Sequence, residues 1–499
     1  MAKKAKGKQA KTNQKGAKKS KNKPASTAAA KQAVTSKNGS TPLPAPVFHE
    51  PAFSEGAFLP DPTGFSTPHD EKSDDALYKQ LGDKLKTDVV TFPQARGAPN
   101  TLFALSDAYG PHGPEVVGII NNNKKIVFHA IGDSGATSAG KKYGHELSVA
   151  DHVTDDCRIS AEADRPAFLF HLGDVVYDFG EPEYYYDQFY EPFRNYPAPI
   201  FAIPGNHDSF LVPGTPTDKQ ALNTFIRNFC ATGPAITADA KSLHRTAMTQ
   251  PGVYFALDAP FVRIIGLFSN ALEDPGVISS ETINGKKTWP TLPDYQLAFL
   301  AAQLGQIKAQ NYKGAVIIAV HHPPFSYSPP SAAKTAAGAN KATGAGGDHG
   351  KNTDMLRQID TICAAQGIYP HAFLSGHAHN YQRYTRTVHF QAKNYSVPFV
   401  VCGDGGYNVK ALVQGRKGEP AQPPKDGADV GYLDVSPAVQ VGGLILNHSD
   451  PNHYGYLRIA VDAQKLAISF YTVPDSTSPT TAATLVETVT VNLATHTMT

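Results

Sequence analysis

The sequence lacks the features that define several classes of protein. No apolar run approaches the roughly 18 residues of a membrane-spanning helix, so no such helix is predicted. The four cysteines stand far apart, with no Cys-x-x-Cys pair among Cys157, Cys230, Cys363 and Cys402. Their spacing argues against a zinc ribbon and against a dense disulfide framework. The chain has 499 residues, 41% of them hydrophobic, and can therefore bury a substantial core.

Acidic residues are absent from the beginning of the chain. Residues 1–38 contain twelve lysines, and the first acidic residue is Glu50. Without those lysines, 34 basic residues face 44 acidic ones, so the body is acidic although the whole chain carries a charge of +2. A segment so poor in large apolar residues cannot bury enough surface to fold alone. It is predicted to be either a solvated, disordered arm or an arm that contacts a polyanion.

The basic beginning also lacks the apolar core of a secretory signal peptide. Its most apolar stretch, Ala28-Ala-Ala-Lys-Gln-Ala-Val34, is too short and too polar for that role. We therefore expect a cytoplasmic protein, while export by another route stays open.

Composition divides the chain into four parts. Residues 1–45 form the predicted disordered tail, and residues 46–124, rich in Pro and Gly, are expected to pack on the core. One large domain is predicted at 125–475, followed by a C-terminal strand or tail at 476–499. Irregular insertions are predicted within the large domain at 270–291, 329–351 and 407–452. A long Ala/Gly/Lys insertion such as 329–351 is either a lid or disordered.

Compact apolar runs alternate with helical patterns from residue 125 onwards. Five runs predict buried strands, at 126–131, 167–172, 199–203, 315–320 and 372–374. Predicted helices lie around 140–163, 182–194, 218–230, 294–310 and 352–366. Hairpin patterns at 253–267 and 456–471 add antiparallel pairs, so the sheets should be mixed. We predict an α/β fold, a four-layer αββα sandwich of two mixed β-sheets flanked by helices.

Each of the five predicted strands ends at a turn that has metal-binding side chains. The turns read Gly-Asp133-Ser-Gly, Gly-Asp174-Val-Val-Tyr177, Gly-Asn206-His207-Asp208, His321-His322-Pro-Pro and Gly-His377-Ala-His379. Ligands of open α/β sheets gather at the carboxyl ends of the strands, so these side chains are expected to meet at one edge. Their carboxylates, phenol, amide and imidazoles together suit a pair of neighbouring cations.

The ordered set of turns resembles the calcineurin-like metallophosphoesterases, and within them the purple acid phosphatases. The narrower resemblance depends on Gly132-Asp133-Ser-Gly135 in place of Asp-x-His, and on Tyr177 three residues after Asp174. The segments Gly376-His-Ala-His-Asn-Tyr-Gln-Arg383 and Gly403-Asp-Gly-Gly406 are also similar to that family. The resemblance covers about residues 125–475.

The resemblance implies two metal pockets that share one carboxylate. One pocket would use Asp133, Asp174, Tyr177 and His379, and the other would use Asp174, Asn206, His321 and His377. Two carboxylates and a phenolate favour ferric iron, whereas an amide and two imidazoles suit divalent iron, zinc or manganese. His321 is favoured over His322 as the ligand, because Pro323 then stands in the family's register.

The resemblance further implies a hydrolase of phosphoric ester bonds that acts on small-molecule phosphate esters. The preferred hypothesis is a phosphomonoesterase in which a hydroxide bound to a dinuclear metal centre attacks phosphorus. His207, next to Asn206, is the preferred proton donor to the leaving group, and His322 is the second choice. Arg383 is predicted either to bind substrate phosphate or to pair with an acid such as Asp178.

Two other functions stay open. A phosphodiesterase or nuclease would keep the same metal site, and the lysine-rich tail would help a nuclease to hold a polyanion. Such a protein should lose affinity steeply as salt rises. A non-catalytic binding protein on the same scaffold would be expected to have lost metal ligands, and the five turns have kept theirs.

Overall fold

The computed structural model covers most of the chain beyond the lysine-rich tail. It describes residues 50–54, 63–67, 91–136, 141–177, 179–209, 222–270, 276–280, 282–283, 286–287, 292–327, 353–412, 425–430, 438–474 and 481–499. The predicted tail, the insertion 329–351 and Asp178 lie outside these residues. Residues Val47–Thr499 form one compact unit.

The strands of the described residues follow the apolar runs of the sequence. In chain order they are β1 Phe103–Ala104, β2 Lys125–Ile131, β3 Leu169–His171, β4 Ile200–Ala202, β5 Phe255–Ala259, β6 Val262–Leu267, β7 Thr282–Ile283, β8 Lys286–Lys287, β9 Ala315–Val320, β10 Ala372–Ser375, β11 Tyr381–Phe390, β12 Lys393–Cys402, β13 Ala428–Asp429, β14 Gln440–Asp450, β15 Gly455–Asp462, β16 Lys465–Thr472 and β17 Thr484–Asn492. The short strands β2, β3, β4, β9 and β10 are almost wholly buried, as continuous apolar runs predict.

The strands form two mixed sheets. The larger sheet has nine strands in the order β1-β5-β6-β9-β10-β12-β11-β14-β13, and the smaller has six in the order β17-β16-β15-β2-β3-β4. In the smaller sheet β2, β3 and β4 are parallel, whereas β15 is antiparallel to β2. In the larger sheet β9 is parallel to both β6 and β10, whereas β11 is antiparallel to β12. The strands β7 and β8 form a separate hairpin.

Helices flank both sheets. In the described residues they are α1 Leu105–Ala108, α2 Gly113–Asn123, α3 Lys141–Ile159, α4 Asn223–Phe229, α5 Tyr295–Ala309 and α6 Thr353–Gln366. Helices α2 and α3 contact the six-stranded sheet, while α5 contacts the nine-stranded sheet and packs against α6. The predicted four-layer αββα sandwich is thereby confirmed. Among the helices described, none has the length and apolar character needed to cross a membrane.

Aromatic side chains fill the layer between the two sheets. Phe170 of β3 stacks on Phe255 of β5, with ring centroids 5.9 Å apart. Tyr381 of β11 stacks on Phe470 of β16, with centroids 3.7 Å apart and nearly parallel rings. Aromatic pairs stabilise a core beyond their buried area, so these contacts hold the two sheets in a fixed relation beneath the strand ends.

Three segments differ from the sequence-based expectation. The helix predicted at 182–194 is a short 3-10 turn, Pro182–Tyr184, followed by a π-helix, Tyr186–Tyr190. The segment 407–452, predicted to be irregular, contains β14, whose neighbouring glycines interrupt the apolar alternation that marks a strand. The segment 46–124 contains α2, for which no helix was predicted; this helix has a proline in its first turn, where proline is tolerated.

Candidate metal centre

The five turns lie at the carboxyl ends of strands from both sheets. Three of them follow β2, β3 and β4 of the six-stranded sheet, and two follow β9 and β10 of the nine-stranded sheet. All predicted metal ligands are buried, with at most 6% of the surface of any of them exposed: Asp133, Asp174, Tyr177, Asn206, His321, His377 and His379. The structure therefore brings the whole predicted ligand set together at one sheltered edge.

The first pocket surrounds the phenol of Tyr177. Its Oη lies 3.0 Å from Oδ2 of Asp174, 3.2 Å from Oδ1 of Asp133 and 3.3 Å from Nε2 of His379. Ligand atoms of Asp133, Asp174 and His379 all lie within 4.8 Å of one another. Two carboxylates, an imidazole and a phenol thus face one small volume, where they could together ligate one cation.

The second pocket is centred on the amide of Asn206. Its Oδ1 lies 3.1 Å from Nε2 of His321 and 3.0 Å from Nδ1 of His377. His321 Nε2 also lies 3.3 Å from Oδ2 of Asp174, and ligand atoms of Asp174, His321 and His377 fall within 4.8 Å of one another. Asp174 therefore belongs to both groups of potential ligands.

The carbonyl group of Leu172 sets the orientation of His321. Nδ1 of His321 donates to this carbonyl oxygen at 2.8 Å, so in the neutral ring Nε2 presents its lone pair to the pocket. Burial opposes protonation of the ring, but the carboxylates of Asp174 and Asp133 and the hydrogen bond to Leu172 together raise the pKa of His321 to about 9. A cation that binds here has to displace a proton.

The acidic groups of the site have unequal pKa values. Burial raises the pKa of Asp133 well above its ordinary value. Burial also acts on Asp174, but the imidazoles of His321 and His207 lower the pKa of this carboxyl well below the usual range. Burial and the two neighbouring carboxylates raise the pKa of Tyr177, so its phenol loses a proton only to a strongly charged cation.

The backbone of the turns is strained where the ligands lie. Four candidate ligands have left-handed φ values: 57° at Asp133, 55° at Asp174, 69° at His377 and 52° at His379. Such conformations are uncommon for non-glycine residues and cluster at functional sites. Gly205 is required for space rather than for its backbone conformation, because a Cβ there would lie 2.0 Å from Oδ1 of Asp174. Only glycine leaves that carboxylate in place.

The donor set as a whole fits bound cations. Asp133 and Asp174 are 0% exposed, and the phenol oxygen of Tyr177 lies within 3.2 Å of both carboxylates. Closely spaced anionic groups in a dry interior are costly unless positive charge compensates them. Cations between these side chains would supply that compensation.

The two candidate proton donors, His207 and His322, differ in exposure but both contact predicted metal ligands. His207 is half-buried, its ring centroid lies 4.2 Å from that of Tyr177, and its backbone N–H donates to Oδ1 of Asp174 at 2.9 Å. His322 is buried, with its ring centroid 4.2 Å from that of His377. Both imidazoles therefore lie directly against predicted metal ligands.

Ser269, which belongs to none of the five turns, contacts His322 twice. Its Oγ accepts the backbone N–H of His322 at 3.1 Å and lies 2.7 Å from Nδ1 of the same residue. These two contacts together hold the backbone and the ring of His322 in one orientation.

Asp208 ties two of the turns together. Its carboxylate accepts the backbone N–H groups of Val175, Val176 and Gly205, at 3.1, 3.1 and 2.9 Å. The first two groups follow Asp174 in the second turn, and the third belongs to the turn of Asn206. Its place in the sequence Asn206-His207-Asp208 was the available signal for this role.

Tyr407 is a second phenol at the site. Its ring is stacked on that of Tyr177, with centroids 3.7 Å apart and planes 5° from parallel. Its backbone N–H donates to the carbonyl oxygen of Asp133 at 3.0 Å. Half-buried beside the Tyr177 ring, Tyr407 limits the movement of the first pocket's phenol.

Arg383 lies in an ion pair within the fold. Its Nε and Nη2 donate to Oε1 and Oε2 of Glu487, at 2.9 and 2.7 Å. Glu487 belongs to β17 of the other sheet, so the pair connects the two sheets. Pairing with an acid was one of the two predicted roles, although with Asp178 as the suggested partner; contact with substrate phosphate stays a prediction.

The sequence profile of the calcineurin-like phosphoesterases matches residues 126–381, slightly more than half of the chain. The chain belongs to the calcineurin-like phosphoesterase family, the family that the five turns predicted. A search of curated protein sequences found no match.

Solved structures to which this chain is similar include a purple acid phosphatase, PhoD and an anchor protein. Purple acid phosphatase PPD1 from yellow lupin (Lupinus luteus) seeds has 16% identity and a TM-score of 0.43, over 74% of this chain and 54% of the lupin chain. PhoD has 12% identity and a TM-score of 0.42, over 75% and 71% of the two chains. GAP50, the anchor in the inner membrane complex of Plasmodium, has 12% identity and a TM-score of 0.41, over 74% and 89%. The chain spans about half the length of the lupin protein.

Proposed function

We propose that this protein is a metal-dependent phosphomonoesterase of the purple-acid-phosphatase type, which holds a ferric ion and a divalent ion. The observation that carries the proposal is the position of the Tyr177 phenol, within 3.3 Å of ligand atoms of Asp133, Asp174 and His379. A phenol in such a set favours a trivalent cation, because it must lose its proton to become a good ligand. The other pocket, with an amide and two imidazoles, suits divalent iron, zinc or manganese.

Each cation would have its own ligands, and one carboxylate would be common to both. The ferric pocket would use Asp133, Asp174, Tyr177 and His379. The divalent pocket would use Asp174, Asn206, His321 and His377. Cations held in this way lower the pKa of water and neutralise the charge of a phosphate group during its displacement.

The side chains around the pockets would handle the proton of the leaving group. His207 is half-buried, its backbone is held to Asp174, and its ring lies against that of Tyr177 beside the pocket. A positioned imidazole typically contributes about 10²–10⁴-fold to a rate by proton transfer. His322, fixed by Ser269, is the alternative donor. Asp208 keeps the loop of His207 and the turn of Asp174 in register.

A phosphodiesterase or nuclease with the same site is the second candidate. The twelve lysines of residues 1–38 are the observation that favours it, because such a polycation attracts nucleic acid. A nuclease would lose affinity steeply with salt and would need those residues. Small monoesters, in contrast, should be hydrolysed at rates that do not depend on the tail.

One purification tests the proposal. The iron-loaded protein should be coloured by a ferric–phenolate band, should contain two metal ions per chain, and should hydrolyse 4-nitrophenyl phosphate faster than bis(4-nitrophenyl) phosphate. Tyr177→Phe should lose the band. A colourless iron-loaded protein, or an unchanged band in Tyr177→Phe, would refute the purple type. Faster hydrolysis of the diester would favour the second candidate, and metal binding without hydrolysis would indicate a binding protein.

A further inference from the structure

Gln188 holds both backbone polar groups of Tyr177. The N–H of Tyr177 donates to Oε1 of Gln188 at 2.8 Å, and Nε2 of Gln188 donates to the carbonyl oxygen of Tyr177 at 2.8 Å. Gln188 is completely buried. The amide therefore completes a pair of hydrogen bonds of the kind that a neighbouring strand would supply, at a turn where no strand lies alongside among the described residues.

The residue that makes these bonds lies in an unusual helix. Tyr186–Tyr190 is a π-helix, and the backbone N–H of Glu191 donates to the carbonyl oxygen of Tyr186 at 2.8 Å, five residues back. Single π-turns are rare and occur frequently at functional sites. All five residues of this helix are buried, so the helix belongs to the core of the fold.

The first metal-binding turn leaves space for the Gln188 amide. A Cβ at Gly135 would lie 2.6 Å from Oε1 of Gln188 and 2.4 Å from the carbonyl oxygen of Val175. Gln188 thus fits between the turn of Asp133 and the turn of Tyr177. Its amide therefore contacts both turns that position ligands of the first pocket, Asp133 and Tyr177.

Three other buried glutamines make the same two-bond contact elsewhere. Gln250 binds the N–H and carbonyl of Ala202, Gln296 those of Phe268, and Gln382 those of Tyr327, all at 2.7 to 3.1 Å. Of the four residues held in this way, only Tyr177 is a predicted metal ligand. Variants of the other glutamines therefore show how such a contact affects stability when the residue it holds is not a predicted metal ligand.

We propose that Gln188 is a positioning residue that holds the Tyr177 backbone so that the phenol reaches the first metal pocket. The inference rests on the proposed function. The phenolic oxygen is at the far end of a long side chain, so a small backbone rotation displaces it considerably. Functional groups need placement within about 0.5 Å. The contacts with the rings of Tyr407 and His207 act on the ring of Tyr177, so the position of its backbone has to be fixed by other contacts.

Gln188→Leu tests the inference, because it removes both hydrogen bonds and keeps similar volume. Gln250→Leu is the control, since it removes the same two bonds from Ala202, together with one bond to the carbonyl oxygen of Gly252. Three quantities are measured on each iron-loaded protein: the visible absorption band per bound iron, the affinity for iron and the thermal midpoint. We expect Gln188→Leu to shift or weaken the band and to lower iron affinity about 10- to 100-fold, the usual effect of losing a supporting contact.

Gln250→Leu should lose at least as much thermal stability while its band keeps the wild-type position and intensity. Gln188→Glu gives an intermediate case that preserves packing, because its carboxylate still accepts the N–H of Tyr177 but repels the carbonyl oxygen. It should therefore alter the band even where Gln188→Leu does not fold.

Three results would overturn the inference. If the wild-type band is present and both Gln188 variants keep it unchanged, Gln188 has no positioning role, and the proposed function stands. If Gln250→Leu alters the band as much as Gln188→Leu does, the effect is general loosening of the fold. If the wild-type protein is colourless with iron bound, the proposed function itself fails and the inference fails with it.

Discussion

The backbone N–H of His207 donates a hydrogen bond to Oδ1 of Asp174 at 2.9 Å. The other oxygen of Asp174 lies 3.0 Å from the Tyr177 phenol and 3.3 Å from Nε2 of His321. One carboxylate therefore joins both candidate metal pockets and also fixes the loop of the preferred proton donor. Changes at Asp174 should affect metal binding and proton delivery together.

Asp174→Asn should reduce the content of both metals, because the shared ligand loses its charge. Asp133→Asn should reduce only the metal of the phenol pocket, and Asn206→Ala only that of the imidazole pocket. Metal stoichiometry after dialysis, measured for iron, zinc and manganese, checks the pattern. Full content of both metals together with full activity in Asp174→Asn would rule out a site in which this carboxylate is shared.

His207→Ala should slow turnover by roughly 10²–10⁴-fold for alkyl phosphates, whose leaving groups need a proton. The loss should be smaller for 4-nitrophenyl phosphate, because 4-nitrophenolate leaves without one. Metal content should stay at the wild-type value, because the backbone N–H that binds Asp174 is retained. Steady-state kinetics on the two substrates make the comparison, with the exposed His389→Ala as the control. An equal loss for both substrates would assign His207 to another role.

The predicted ligands were accessible from the sequence because each signal is local. A short buried strand followed at once by glycine and a polar ligand, as before Asp133 or Asp174, specifies both the element and the edge where the ligand lies. The order of five such turns then defines the family. No knowledge of contacts between distant segments is required for that step.

The supporting contacts were inaccessible because their partners are remote in sequence. Ser269 binds a histidine 53 residues away, and Arg383 binds an acid 104 residues away on the other sheet. Gln188 has no local pattern that distinguishes it from a surface glutamine. The strand β14 was missed because Gly442 and Gly443 remove the side chains whose alternation would have marked it.

Arg386→Ala should destabilise the fold by about 3–5 kcal/mol, because the buried carboxylate of Asp360 loses the cation paired with it and keeps the hydrogen bond from the Tyr369 phenol. Arg386 and Asp360 are both 0% exposed and form a bidentate pair, at 3.0 and 2.8 Å, between β11 and α6. The double variant Arg386→Met/Asp360→Leu should lose less than either single variant. Denaturant unfolding gives these free energies.

The surface pair of Arg158 and Asp155 is the control for that experiment, with 68% and 62% of its side chains exposed. Arg158→Ala should cost about 1 kcal/mol or less, since exposed pairs contribute little. If Arg386→Ala were no more destabilising than Arg158→Ala, the buried pair would not be essential to the packing of α6 on the sheet.

Asp404→Asn should stabilise the protein increasingly as the pH rises. Burial raises the pKa of Asp404 to about 7; Oδ1 accepts from the thiol of Cys402, while Oδ2 has no hydrogen-bond partner among the described residues. The unfolded carboxyl titrates near pH 3.9, so between about pH 4 and pH 7 the folded state holds one more proton. The free energy of unfolding is therefore unaffected by this group below about pH 4, and it falls as the pH rises from about 4 to about 7.

Asparagine cannot ionise, so Asp404→Asn escapes this decline. At pH 8 the variant should exceed the wild type by on the order of 2–4 kcal/mol, and at pH 5 by clearly less, since each pKa unit corresponds to about 1.4 kcal/mol. Unfolding free energies at the two pH values provide the measurement, with the exposed Asp107→Asn as the control. A difference between variant and wild type that is equal at pH 5 and pH 8 would mean that Asp404 ionises normally in the folded protein.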